Sequence, residues 1–332
     1  MSEQPLLSVR DLSIAVDLPD GRCMPIIDDL SFDLRAGETL GIVGESGSGK
    51  SLASLAIIGL LPRVARPTGQ ILLDGEDLLS ASEDRLCKIR GNRIGMIFQE
   101  PLTALNPAMT IGDQIAEGLV WHRGLSWRQA RREAVELLDQ VRIPHAKRRA
   151  VTYPHEMSGG QRQRVGIAIA LALKPALMIA DEPTTALDVT VQAEVLDILD
   201  DLVREYRMAL ILVSHDLGVI ARMCDRTLVL YAGRRMEEGP THDVLTTPLN
   251  PYTRGLLSAV PKRVPGKDGE EGRLATIPGT VPGFAQLPQG CCFSDRCPDV
   301  VTECRLTAPG WSRHGEDRGV RCLRAEQGEV SQ

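Results

Sequence analysis

Aromatic side chains make up only 3% of this 332-residue chain, so its core must rest on Leu, Ile, Val and Ala. Long apolar runs are missing too. The longest stretch low in charge, Val165–Ala180, is interrupted by Lys174 and Pro175 and falls short of the ~18–20 residues a membrane-spanning helix needs. There is no cationic start followed by an apolar run, since Met1–Gln4 leads straight into strand-like sequence; a chain without a secretory leader is expected. Positive charge is not in excess, and the net charge of −6 argues against a nucleic-acid binder that relies on counterion release. What remains, 43% hydrophobic and 25% charged residues, is ordinary for a soluble globular protein. The length allows one large domain with an appendage, or two modest domains. Of eight cysteines, Cys23, Cys87 and Cys224 stand alone and read as small core residues, while five crowd into Cys291–Cys322.

The first forty residues read as short strands, Leu7–Val16 and Ile26–Leu34, around a Pro19-Asp20-Gly21 turn, which predicts an antiparallel unit. From Thr39 the pattern changes to a short buried strand (Leu40–Val43), a glycine-rich loop (Gly44–Lys50) and an apolar helix (Ser51–Leu61). The region from about 100 to 160 is helical and polar. In Trp127–Ile143 the residues Ala130, Ala134, Leu137, Leu138 and Val141 recur at helical spacing and predict one buried stripe. A helix over Ser158–Leu173, a strand over Ala176–Ala180, a helix over Val191–Tyr206 and a strand over Ala209–Val213 follow. Alternating strands and helices imply an α/β fold with a mainly parallel sheet covered on both faces. From Pro248 onward the chain is rich in Pro, Gly and Cys and reads as a loop-rich appendage.

Gly44-Glu45-Ser46-Gly47-Ser48-Gly49-Lys50-Ser51 fits G-x-x-x-x-G-K-[ST] between a strand and a helix. The glycines let backbone N–H groups converge on phosphates, and the helix N-terminus adds partial positive charge. Lys50 is expected to reach the β- and γ-phosphates and Ser51 to ligate Mg²⁺. The apolar run Leu177–Ala180 ends in Asp181-Glu182, which puts one carboxylate, Asp181, in the Mg²⁺ shell. The next, Glu182, is placed to orient or deprotonate the attacking water. At Met157-Ser158-Gly159-Gly160-Gln161 a serine and two glycines open a helix whose bare N–H groups can bind an anion.

That last segment, with Arg162-Gln163-Arg164 after it, resembles the signature sequence of the ABC ATPases, a P-loop NTPase family. The resemblance implies that Ser158, Gly159, Gly160 and Gln161 cap the γ-phosphate of an ATP bound by an opposing subunit. It implies nucleotide contacts along Gly44–Leu52, including Leu52, and a glutamine loop in which Gln99 touches Mg²⁺ and the water. A D-loop at Thr185-Ala186-Leu187-Asp188 would cross the dimer interface, and His215 of Ser214-His215-Asp216 would touch the γ-phosphate. Glu182, His215 and Gln99 are thus the expected catalytic residues. Family members often stack an aromatic on adenine near the end of the first strand; Ser13–Val16 has none, which leaves Val16 as the expected contact.

Three longer segments are similar to the oligopeptide/dipeptide importer branch: Gln99-Glu100-Pro101-Leu102-Thr103-Ala104-Leu105-Asn106-Pro107, Tyr153–Gly160 and Ala180–Thr190. Asn250-Pro251-Tyr252-Thr253 through Ala259-Val260-Pro261 resembles the start of that branch's C-terminal extension. Within it lie Cys291, Cys297, Cys304 and Cys322. Clustered thiols in a cytosolic protein favour a metal, and four sulfur ligands suit Zn²⁺ or an iron–sulfur centre alike. The resemblance favours a 4Fe–4S cluster. Cys292 stands where the branch has proline, so the first ligand is Cys291 or Cys292, with Cys291 preferred.

The expectation is therefore an ATPase with an antiparallel β subdomain and a helical subdomain (about 100–164) in residues 1–240, and a Cys-rich extension in 241–332. The resemblance implies import of di- or oligopeptides, with nickel, glutathione or D-amino-acid dipeptides as variants, and a non-transport ATPase as the alternative. Implied partners are a second ABC ATPase (a sister chain rather than a second copy), two permease subunits and an extracytoplasmic solute-binding protein. The implied location is peripheral, on the cytoplasmic side of the inner membrane.

Overall fold

The computed structural model describes residues 4–99, 104–185, 187–260 and 276–326. Strands β1 (Leu7–Asp17) and β2 (Cys23–Leu34) form the expected hairpin. The Asp20 carboxylate accepts the Arg22 N–H at 3.1 Å and closes the turn. Leu7, Val9, Leu12 and Ile14 of β1 are buried, and the register slips where Asp11 adopts a left-handed φ of 49°. With β4 (Ala65–Leu73) and β5 (Glu76–Asp77) they make a four-stranded antiparallel sheet in the order β2-β1-β4-β5.

Among the described residues the central sheet has eight strands, in the order β11 (Ser312–Arg313), β12 (Gly319–Val320), β10 (Arg234–Pro240), β9, β3, β8, β7, β6. β3 (Thr39–Val43), β6 (Ile94–Ile97), β7 (Leu177–Asp181), β8 (Ala209–Val213) and β9 (Arg226–Tyr231) run parallel. Every residue of β7 and β8 is buried, as expected for strands sandwiched between two layers. One face packs on the antiparallel sheet and the helix Lys50–Ile57. The other packs on the helices Ile111–Arg123, Trp127–Gln140, Gly159–Leu171 and Val189–Tyr206. Trp127–Gln140 buries Ala130, Ala134, Leu137 and Leu138 as its spacing predicts, and a Ser126–Gln129 capping box starts it. It stops short of Ile143 because Arg142 turns to φ 56°.

The C-terminal segment is more than a loop-rich appendage. Its β12 (Gly319–Val320) pairs antiparallel with β10 (Arg234–Pro240), and β11 (Ser312–Arg313) pairs with β12, so it extends the central sheet by two strands. The three isolated cysteines need correction. Only Cys224 is buried; Cys23 and Cys87 are exposed. Cys23 opens β2 beside the hairpin turn, and Cys87 lies on the outer face of helix Glu83–Ile89, whose inner face is Leu86 and Ile89. Among the described residues no helix is long and apolar enough to cross a membrane.

Candidate active site

The parallel strands deliver their chemistry at their carboxyl ends, where such sheets form crevices. β3 runs into the loop at Gly44, whose φ is 155°; a Cβ there would sit 2.1 Å from the Leu230 carbonyl oxygen, so only glycine fits. The helix that follows has Gly49 as its N-cap, with no side chain accepting from its first turn and no acidic residue in it. Its free N–H groups are thus available to an anion. Lys50, 5% exposed, donates to the carbonyls of Gly44 (2.8 Å) and Glu45 (3.1 Å). Burial lowers its pKa, opposed by the carboxylates of Glu182, Asp181 and Glu45.

Two carboxylates, one ending β7 and one just after it, divide the remaining work. Asp181 is 5% exposed, and burial raises its pKa against the hydrogen bond from Ser51 Oγ to Oδ1 at 3.1 Å. A hydroxyl paired with a carboxylate is an all-oxygen donor set of the kind Mg²⁺ takes, and the residues present fit that ion. Glu182 has a left-handed φ of 46°, held by its N–H bond to the Val213 carbonyl at 2.9 Å. Its Oε2 accepts from Gln99 Nε2 (3.2 Å) and Thr185 Oγ1 (2.8 Å) and lies 3.4 Å from His215 Nδ1. The carboxylate is therefore aimed by three neighbours, beside the metal pair and separate from it. One acid is suited to a cation and the other to a water.

Lys50, Ser51, Asp181, Glu182, Gln99 and His215 thus converge on one crevice. Thr185 joins them although the sequence reading gave it no role at Glu182; its position in Pro183-Thr184-Thr185, three residues on, was the available signal. Val16 is half-buried on β1, paired with Met24 and Ala65, and the same antiparallel sheet reaches Gly49 through Ile27. Ser158 is exposed and caps the helix Gly159–Leu171 in a capping box with Gln161. No hydrogen bond joins it to the Gly44–Ser51 loop among the described residues. Gly160 is required for packing, since a Cβ would meet Val191 Cγ1 at 2.4 Å. Asp188 caps the helix Val189–Tyr206 through the Val191 N–H. Glu100–Thr103 and Ala186, parts of the quoted motifs, lie outside the described residues, as does Pro261.

In the C-terminal segment Cys291, Cys297, Cys304 and Cys322 line one cavity, and Cys292 does not. Cys292 is buried and points its thiol toward the Met236 sulfur at 3.7 Å. All five thiols are free. The hydrogen bond with Cys292 pulls the Cys291 thiol below its ordinary pKa, whereas burial pushes that of Cys297 up to about 12. Among the described residues no three ligands are close enough to hold a single metal ion.

A family described as ABC transporter matches residues 27–185, and one described as the C-terminal region of oligopeptide/dipeptide transporters matches 236–304. The oligopeptide transport ATP-binding protein OppD of Salmonella typhimurium is 49% identical over 304 residues, covering 92% of this chain and 89% of that protein. OppD of Haemophilus influenzae is 48% identical over 302 residues, covering 91% and 92%. Among solved structures, a dimeric ATP-binding cassette in a post-hydrolysis state bound to ADP and Pi superposes with a TM-score of 0.64 at 29% identity. It covers 71% of this chain and 98% of that one. A sheet, crevice and sequence of this kind define an ATP-hydrolysing cassette. The chain belongs to the ABC transporter ATPases, in their oligopeptide/dipeptide branch.

Proposed function

We propose that this chain hydrolyses ATP to drive import of di- or oligopeptides, working from the cytoplasmic face of the membrane against permease subunits. The convergence of Lys50, the Ser51–Asp181 pair and the separately aimed Glu182 carries the reading. Lys50 and the loop N–H groups hold the β- and γ-phosphates. Ser51 and Asp181, with Gln99, hold Mg²⁺, which offsets phosphate charge. Glu182 takes or directs the proton of the attacking water, and His215 steadies both Glu182 and the γ-phosphate. Ser158, exposed and without a hydrogen bond to its own loop among the described residues, and the following N–H groups complete the site of an opposing ATPase, with Asp188 and Leu187 at the shared face.

The two relatives are named oligopeptide transport ATP-binding proteins, and the match to the C-terminal region of oligopeptide/dipeptide transporters supports the same cargo class here. An apolar groove beside Gln99, walled by Met96, Ile97, Phe98, Leu105 and Ile169, suits a short amphipathic helix of a permease; Phe98 is 40% exposed there. A division at about residue 240 into ATPase and extension is supported by the second family match beginning at 236, although the sheet runs across it. Uptake of labelled tri- or tetrapeptides by vesicles carrying the transporter tests the reading. ATP-dependent uptake that Lys50→Ala abolishes is expected, and ATP-independent uptake would overturn it.

The thiol cavity supports a finer proposal. Four cysteines around one cavity form the four-thiolate set that a 4Fe–4S cluster takes, and the resemblance to the importer branch favours that cluster over zinc. Cys291, Cys297, Cys304 and Cys322 would hold it, and it would tie together three segments of the extension. Anaerobically purified protein with iron and absorbance near ~400 nm supports this; colourless, zinc-loaded protein overturns it.

A further inference from the structure

The phosphate loop is gripped from outside the ATPase core. Both terminal nitrogens of Arg296 donate to the Glu45 carboxylate, Nη1 to Oε2 at 2.6 Å and Nη2 to Oε1 at 2.9 Å. The Glu45 backbone N–H donates to the Tyr252 hydroxyl at 2.9 Å. Both partners lie in the C-terminal segment, more than two hundred positions away in sequence. Arg296 has little freedom of its own. Its side chain is 6% exposed, Nε donates to the Pro278 carbonyl at 2.8 Å, and the guanidinium stands 5.8 Å from the Tyr231 ring. Tyr252 is fixed in turn by Tyr231 and Phe293, at ring separations of 4.7 and 5.2 Å.

Glu45 is the second residue of a loop whose task is to receive a triphosphate, so an unpaired carboxylate there would repel the ligand. The bidentate arginine neutralises it and turns it toward the extension. The Glu45 carbonyl is also one of the two acceptors of Lys50 and receives the Ser48 N–H at 3.2 Å. Fixing Glu45 therefore fixes the frame in which Lys50 meets phosphate.

We propose that Arg296 and Tyr252 are positioning residues for ATP: through Glu45 they hold the phosphate loop in its binding shape, so the extension sets nucleotide affinity. The proposal rests on the reading that Gly44–Ser51 binds ATP. Loss of the clamp acts on binding more than on the chemical step, because Glu182 and its three neighbours lie in the loops that follow β6, β7 and β8, outside the Glu45 contacts.

The test measures MgATP affinity of the full-length chain with a fluorescent nucleotide, and KM and kcat in the assembled transporter. Arg296→Met is expected to raise Kd and KM about tenfold with kcat within about twofold. Arg296→Lys, which keeps the charge but not the fork, should recover part of the affinity. Glu45→Gln combined with Arg296→Met should bind better than Arg296→Met alone, since no unpaired carboxylate is left facing the triphosphate. Unchanged KM in Arg296→Met, or kcat falling while KM holds, overturns the proposal. If Arg296→Met fails to fold, Tyr252→Phe decides instead: it removes one acceptor and should raise KM severalfold, and a wild-type KM refutes the clamp. A wild type that binds MgATP no better than Lys50→Ala would instead sink the ATP-site reading.

Discussion

Glu182→Gln isolates the charge and basicity of one side chain at nearly constant shape. The amide keeps an oxygen that can accept from Thr185 Oγ1, 2.8 Å away in the wild type, and from Gln99 Nε2 at 3.2 Å. The left-handed backbone at φ 46° and its bond to Val213 are untouched, so folding stability should hold within about 0.5 kcal/mol. What disappears is the group proposed to take the proton from water, and the charge that His215 faces at 3.4 Å. Removing a general base of this kind costs at least about 10²-fold in turnover, or ~2.7 kcal/mol of barrier. Lys50 and the Ser51–Asp181 pair lie outside the change, so MgATP affinity should remain. The assay is phosphate release by the reconstituted transporter, with the opposing ATPase wild type in one preparation and carrying the equivalent change in another. Near wild-type release in both would refute the assignment of Glu182 as the base.

Asp181→Asn links the site to stability. Burial raises the Asp181 pKa in the folded chain, so the acid is neutral in both states at low pH, and folding stability is lost as pH rises through the folded value. The variant should therefore melt above the wild type at pH 7, with the gap closing as pH falls below the ordinary carboxylate range, and should lose MgATP-induced stabilisation. A gap independent of pH contradicts the burial argument. The two signature glycines should differ sharply. Gly160→Ala overpacks against Val191 at 2.4 Å and costs ~1–3 kcal/mol, while a Cβ on Gly159 meets Leu187 Cδ2 at a comfortable 3.9 Å and costs little stability. Chemical denaturation of the two variants measures the difference.

The sequence made the site legible wherever chemistry is packed into adjacent residues. Gly44–Ser51, Asp181-Glu182 and Ser158–Gln161 each carry their local conformation with them, and the fully apolar β7 and β8 announce a covered parallel sheet. Long-range contacts were not legible. β11 and β12 have two residues each, too short for any periodicity, and exist because β10 offers an edge. The Arg296–Glu45 clamp joins an arginine beside Cys297 to a loop at the other end of the chain, and neither residue is unusual in its own surroundings. Cys23 and Cys87 misled because cysteine is commonly buried, whereas here a hairpin edge and the outer face of a short helix carry them.

The central claim is that ATP is hydrolysed between two cassettes, with Lys50 of one facing Ser158 of the other. It is tested most directly by Ser158→Arg, which adds a bulky cation to an exposed cap without touching the chain's own phosphate loop. MgATP should bind the isolated variant as tightly as wild type, while ATP-driven association with the opposing cassette, followed by sedimentation, and hydrolysis at that cassette's nucleotide are both lost. An isolated Ser158→Arg chain that binds ATP poorly, or an assembled one that associates and hydrolyses normally, contradicts the shared site.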